Sequence, residues 1–141
     1  MNQYQGQCKC GNVKLTYESA VAAADIEPRA CDCEFCTRHK VVSVSDAEGK
    51  LSVTVGKPNF YIVKQGSNTA EFMSCANCGQ VGFITYKDGE NTLAAVNANV
   101  LAEKDAFKPA VTVSPKELST EEKIERWQTL WVPEVSVEAM S

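Results

Sequence analysis

No apolar run in this chain approaches the roughly 18 residues that a membrane-spanning helix requires, so a membrane protein of that kind is not expected. Positive charge is also short. Fourteen Lys and Arg face eighteen Asp and Glu, a formal net charge of −4 with a pI near 5.0. A surface that tracks nucleic-acid phosphates needs clustered Lys and Arg, so no nucleic-acid partner is expected. The first residues, Met1-Asn2-Gln3-Tyr4-Gln5-Gly6-Gln7, lack the basic start and apolar stretch of a secretory signal, which makes the cytoplasm the expected compartment. Internal repeats, low-complexity segments and linkers are missing too. The 141 residues read as one domain, 1–141, long enough to bury a core.

Cysteine is what the chain has in excess: Cys8, Cys10, Cys31, Cys33, Cys36, Cys75 and Cys78. An odd count without an export signal argues against a disulfide framework. The close Cys-x-Cys and Cys-x-x-Cys spacings suit metal ligation. A thioredoxin-like redox pair at Cys75-Ala76-Asn77-Cys78 would want a βαβ setting, and the flanks here read as strands.

Between the cysteines the pattern is that of short strands. Val13, Leu15 and Tyr17 alternate with polar residues over 12–18, and Leu51, Val53 and Val55 do so over 50–55. Further strands are expected at 41–45, 60–64, 71–74, 81–87, 92–97 and 110–113, with Asp88-Gly89 as a hairpin turn. Residues 19–30, with an alanine cluster and Pro28, read as a connection leading to Cys31 in preference to a short helix. One clear helix is predicted over 120–130. Ser119 and Glu122 form a capping box, Ile124, Trp127 and Trp131 recur at helical spacing, and Pro133 stops it. The tryptophans are expected to pack this helix on a sheet. The tail from 134 alternates weakly and reads as an edge strand or a frayed end. The class is mainly β with a C-terminal helix.

Seven thiols divide into four and three. A closed structural zinc takes four ligands, whereas a catalytic zinc keeps a position open. Cys10 is followed by Gly11 and Cys78 by Gly79, and glycine lets a chain turn tightly round a metal. Cys8, Cys10, Cys75 and Cys78 are therefore expected to share one zinc. Cys31, Cys33 and Cys36 remain as a three-thiol site. His39, the only histidine, competes with that reading as a fourth ligand, which would close the site with three sulfurs and one imidazole. Otherwise Arg38, His39 and Lys40 make a small basic patch, either a solvated turn or a binding site for a substrate carboxylate.

These motifs resemble those of the glutathione-dependent formaldehyde-activating enzymes and the related centromere protein V group. Gln7-Cys8-Lys9-Cys10-Gly11-Asn12-Val13 looks like the family's opening element, and Cys31-Asp32-Cys33-Glu34-Phe35-Cys36-Thr37-Arg38 is similar to its central one. Cys75-Ala76-Asn77-Cys78-Gly79 matches the late one, and Asp105-Ala106-Phe107-Lys108-Pro109 resembles a short element before the last strand. The resemblance spans about residues 6–113. Two stretches depart from it: His39-Lys40-Val41-Val42 stands where many members have small residues, and 115–130 reads as a helical insertion.

The resemblance implies an Mss4-like fold, with β-sheets folded over a structural zinc at Cys8, Cys10, Cys75 and Cys78. It implies a second, catalytic zinc at Cys31, Cys33 and Cys36, two per chain in all. The implied activity is that of a carbon–sulfur lyase, joining glutathione or a similar small thiol to formaldehyde or another small aldehyde. The competing expectation is a non-catalytic binding module with both zinc sites closed.

Overall fold

The computed structural model describes residues 2–31, 34–56, 60–65, 70–88, 91–113 and 119–139, and its elements form two sheets and two α-helices. The smaller sheet is built on β2 (Val13–Ser19) and β5 (Lys50–Val55). They pair antiparallel with Val13 opposite Val55, Leu15 opposite Val53 and Tyr17 opposite Leu51. All six of these side chains are buried. Period-two alternation puts them on one face, and burying each contributes roughly 1.5–3 kcal/mol. β1 (Asn2–Gln7) lies on one edge, antiparallel to β2, and β11 (Glu134–Ala139) on the other, parallel to β5.

The larger sheet has seven strands in the order β10 (Val111–Val113), β3 (Arg29–Cys31), β4 (Val42–Val44), β9 (Asn91–Asn97), β8 (Val81–Asp88), β7 (Ala70–Cys75) and β6 (Phe60–Gln65). β8 and β9 form a hairpin closed by Asp88 opposite Asn91. The Gly89 expected in its turn lies outside the described residues. The β7–β8 register shifts between Met73 and Ser74, so that Met73 faces Phe83 and Ser74 faces Val81. Gly82 is the extra residue, a β-bulge. It moves Val81 to the face opposite Phe83, because each added residue reverses the alternation.

Two cores result. Val13, Leu15 and Tyr17 of β2 and Leu51, Val53 and Val55 of β5 pack with Val44, Phe83, Ala94 and Val96 of the larger sheet. A second cluster holds Val81, Ile84, Leu93 and Ala95 together with Cys36, Val41 and Trp131. Cys36 belongs to α1 (Glu34–His39), and Trp131 caps α2 (Thr120–Leu130). The α2 capping box is present as expected, with Glu122 N–H donating to Ser119 Oγ at 3.2 Å and Ser119 N–H to Glu122 Oε1 at 3.1 Å. Trp127 stacks on Trp131 with ring centroids 5.0 Å apart and meets Tyr86 of β8 at 5.2 Å. The tryptophans do pack this helix onto a sheet.

Three elements differ from the sequence expectations. β1 forms where no strand is expected, because the carbonyls and amides of 2–7 find β2 and a bridge from Gly6 to Leu101. The 19–30 connection contains a short 3-10 turn, Ala23–Asp25, but ends in β3, whose partners β4 and β10 are remote in sequence. α1 forms over a segment for which no helix is expected. No helix among the described residues is long and apolar enough to cross a membrane.

Candidate metal centre

Two turns carry Cys8, Cys10, Cys75 and Cys78, and they are built alike. In the β1–β2 turn, Cys8 N–H donates to Val13 O at 3.0 Å and Gly11 N–H to Cys8 O at 3.0 Å. In the β7–β8 turn, Cys75 N–H donates to Gln80 O at 2.9 Å and Gly79 N–H to Cys75 O at 2.8 Å. Gly11 and Gly79 adopt φ of +79° and +78°, the left-handed region that a Cβ resists. Lys9 N–H donates to Gln80 Oε1 at 2.8 Å, tying one turn to the other.

The turns bring the four sulfurs within 4.8 Å of one another. Cys10 Sγ lies 3.6 Å from both Cys8 Sγ and Cys75 Sγ. Sulfurs held about 2.3 Å from a tetrahedral zinc stand about 3.8 Å apart, whereas a disulfide needs about 2.05 Å. The spacing fits a metal and not a bridge, and all four cysteines are free. Cys8 and Cys75 are buried, Cys78 is half-buried and Cys10 is exposed.

The surroundings are those of thiolates. Val13 N–H points at Cys8 Sγ at 3.3 Å, Cys78 N–H at Cys75 Sγ at 3.5 Å, and Asn12 Nδ2 at Cys75 Sγ at 3.8 Å. Hydrogen bonds from the Asn77 side chain and the Asn12 backbone lower Cys10 to about 6. Burial pushes Cys8 up to about 11. Four thiols this close cannot all ionise by themselves, and a dication among them removes the conflict. The cluster can hold a metal ion, with Cys8, Cys10, Cys75 and Cys78 as the donor set. Asn12, Asn77 and Gln80 were not singled out from the sequence. Their signal was present, since polar residues beside thiol turns commonly supply donors to the sulfurs.

The second cluster is placed in part. Cys31 ends β3, with its backbone opposite Val113, and its side chain lies outside what is described. Cys33 lies outside the described residues. Cys36 is buried on α1 beside Trp131 and Val81. Arg38 and His39 end α1 and are exposed, as is Lys40. α1 stops with Val41 N–H donating to Cys36 O at 2.9 Å and Lys40 at φ 53°. That is a Schellman ending with a lysine where glycine is usual. Asn99 Nδ2 donates to the Lys40 carbonyl. The fully buried Asn97 amide donates to Val81 O at 2.8 Å and accepts from Val42 N–H at 3.2 Å.

Arg29, two residues before Cys31, is half-buried and donates to Ser45 Oγ at 2.6 Å. Burial holds its guanidinium below the ordinary arginine value, and the like charge of Arg126 on α2 adds to this, with Tyr17 opposing. Neither arginine was singled out from the sequence.

A solved structure of a Rhodobacter sphaeroides protein is similar to this chain with 25% identity and a TM-score of 0.55, covering 76% of this chain and 99% of that one. No curated protein sequence matches. Residues 3–116 match the profile described as glutathione-dependent formaldehyde-activating enzyme, a span that contains all seven cysteines. With its three thiol motifs inside that span and four of their sulfurs gathered at metal-binding distances, the chain belongs to the glutathione-dependent formaldehyde-activating enzyme family.

Proposed function

We propose that the protein is a two-zinc carbon–sulfur lyase that joins a small thiol, glutathione or a close analogue, to formaldehyde or another small aldehyde. One observation carries the reading most: among the described residues Cys8, Cys10, Cys75 and Cys78 gather their sulfurs into one cluster, and the remaining cysteines of the sequence, Cys31, Cys33 and Cys36, fall within six residues of one another. A closed set of four thiolates suits a structural zinc, and a set of three suits a zinc with an open position. Zinc bound by three thiolates would take up a substrate thiol as its thiolate, a nucleophile available at neutral pH.

The residues of the chain then have distinct tasks. Cys31, Cys33 and Cys36 hold the metal. Burial of Cys36 with Trp131 and Val81 keeps water from one side of that segment. In the reaction the thiol sulfur bonds to the aldehyde carbon, the carbonyl pair moves onto oxygen, and the thiol proton ends there as a hydroxyl. Arg38, His39 and Lys40, exposed at the end of α1, would meet a substrate carboxylate from solvent.

The test is Cys33→Ser, purified under reducing conditions beside the wild-type chain. Zinc should fall from two per chain to one with the circular dichroism spectrum unchanged. Glutathione-dependent formaldehyde consumption should fall to the uncatalysed background. Turnover equal to wild type would overturn the mechanism.

A further inference from the structure

We infer that Cys10 is an oxidation site: a peroxide would join it to Cys75 as a disulfide and so displace a metal from the four-sulfur cluster. The inference needs a metal at that cluster only and is independent of the lyase reading.

Three observations converge on it. First, the cluster is open at one sulfur. Cys8 and Cys75 are 2% and 1% exposed, Cys78 is half-buried, and Cys10 alone of the four is exposed. A reagent arriving from solvent therefore meets Cys10 first. The thiolate that ligates a metal is also the form of cysteine that reacts as a nucleophile.

Second, a partner sulfur is close. Cys10 Sγ lies 3.6 Å from both Cys8 Sγ and Cys75 Sγ, and a disulfide needs about 2.05 Å, so closure asks for a shift of about 1.5 Å. Cys75 is the better placed of the two. Cys8 shares with Cys10 a turn that Gly11 N–H closes onto Cys8 O at 3.0 Å, and a bridge inside that turn would distort it. Cys75 stands on the other turn, which can approach as a unit.

Third, more than the sulfurs ties the two turns together. Lys9 N–H donates to Gln80 Oε1 at 2.8 Å, and Asn12 Nδ2 donates to Cys75 Sγ at 3.8 Å. Both bonds cross from one turn to the other. They would keep Cys10 beside Cys75 while the metal leaves.

The step balances with the peroxide as oxidant. The Cys10 thiolate attacks one peroxide oxygen, the O–O bond breaks, and hydroxide leaves a sulfenic acid behind. The Cys75 thiolate attacks that sulfur, the S–S bond forms, and a second hydroxide leaves. Two thiolates give up two electrons, the peroxide takes them, and two protons turn the hydroxides into water. Two of four ligands are then gone, and a closed zinc site no longer exists. A thiol reductant reverses the bridge.

The test treats the zinc-loaded, full-length protein with hydrogen peroxide. A chromophoric chelator reads the zinc released, and peptide mass spectrometry maps the disulfides. Cys33→Ser is treated beside the wild type, so that oxidation of the Cys31–Cys36 segment is told apart. Both proteins should lose the zinc of the four-sulfur cluster as the Cys10–Cys75 peptide pair appears. Dithiothreitol with added zinc should reverse both changes. Cys10→His, which keeps a ligand but cannot form the bridge, should hold that zinc through the same treatment. If Cys10→His binds no zinc, the peptide map of the wild type decides alone. No release of zinc from Cys33→Ser overturns the inference. So does release without a Cys10–Cys75 bridge, or release from Cys10→His as fast as from wild type.

Discussion

Gly11 and Gly79 are small residues with a large effect. A Cβ at either position would meet nothing within 4 Å, so what an L side chain loses there is backbone comfort alone. That cost is roughly 1–2 kcal/mol. Gly79→Ala is expected to lower the stability of the metal-loaded protein by about that amount, read from the shift in denaturant midpoint at unchanged zinc content. A midpoint equal to wild type would mean that the turn relaxes at no cost. Both glycines were legible in the sequence, because a glycine just after the second thiol of a pair has a local reason to be there. Asn97 was not. Besides capping the turn at Asn99 N–H, its amide serves Val81 and Val42, remote along the chain, and nothing next to it in sequence announces those two duties.

At the scale of elements, the strands with strict alternation were readable and the edges were not. The span 50–55 and the helix 120–130 match β5 and α2 residue for residue, since each carries its own period and its own ends. β1 has no such pattern, yet it ties the smaller sheet to the segment that follows β9. Gly6 pairs with Leu101, and Gln5 O accepts from Ala102 N–H at 2.8 Å. A Cβ on Gly6 would lie 2.9 Å from Val100 O and 3.0 Å from Leu15 Cδ1. Gly6→Val is therefore expected to cost about 1–3 kcal/mol by overpacking, with a matching fall in melting temperature. A melting temperature at or above that of wild type would show that β1 can move outward without loss. β3 escaped notice for a related reason. Three residues cannot display a period, and its partners lie at 42–43 and 111–113.

In the whole molecule the four-sulfur cluster lies where the two sheets meet, and the zinc proposed for it would clamp them together. Cys8 and Cys10 sit where β1 turns into β2 in the smaller sheet, and Cys75 and Cys78 where β7 turns into β8 in the larger. Cys10 and Cys75 meet across 65 residues of chain. A metal at such a junction contributes folding free energy on the order of 10 kcal/mol, comparable to the whole stability of a small domain. Removal of the proposed zinc with a strong chelator in the presence of reductant is expected to abolish the cooperative thermal transition, and added zinc to restore it. A metal-free chain that melts with the wild-type transition would show that the two cores suffice alone.

The sequence by itself determined the chemistry: which residues offer sulfur, at what spacing, which turns can wrap a metal, and where α2 starts and stops. These are properties of a few neighbouring residues, set by dihedral preference, capping and periodicity, so they need no knowledge of the rest of the chain. Only the tertiary structure decided who meets whom. Cys10 finds Cys75, Val81 changes face at the Gly82 bulge, and Trp131 at the end of α2 joins the cluster that holds Cys36. Each of these depends on strand order and register, which arise from the summed burial of two cores, and no local pattern records that sum.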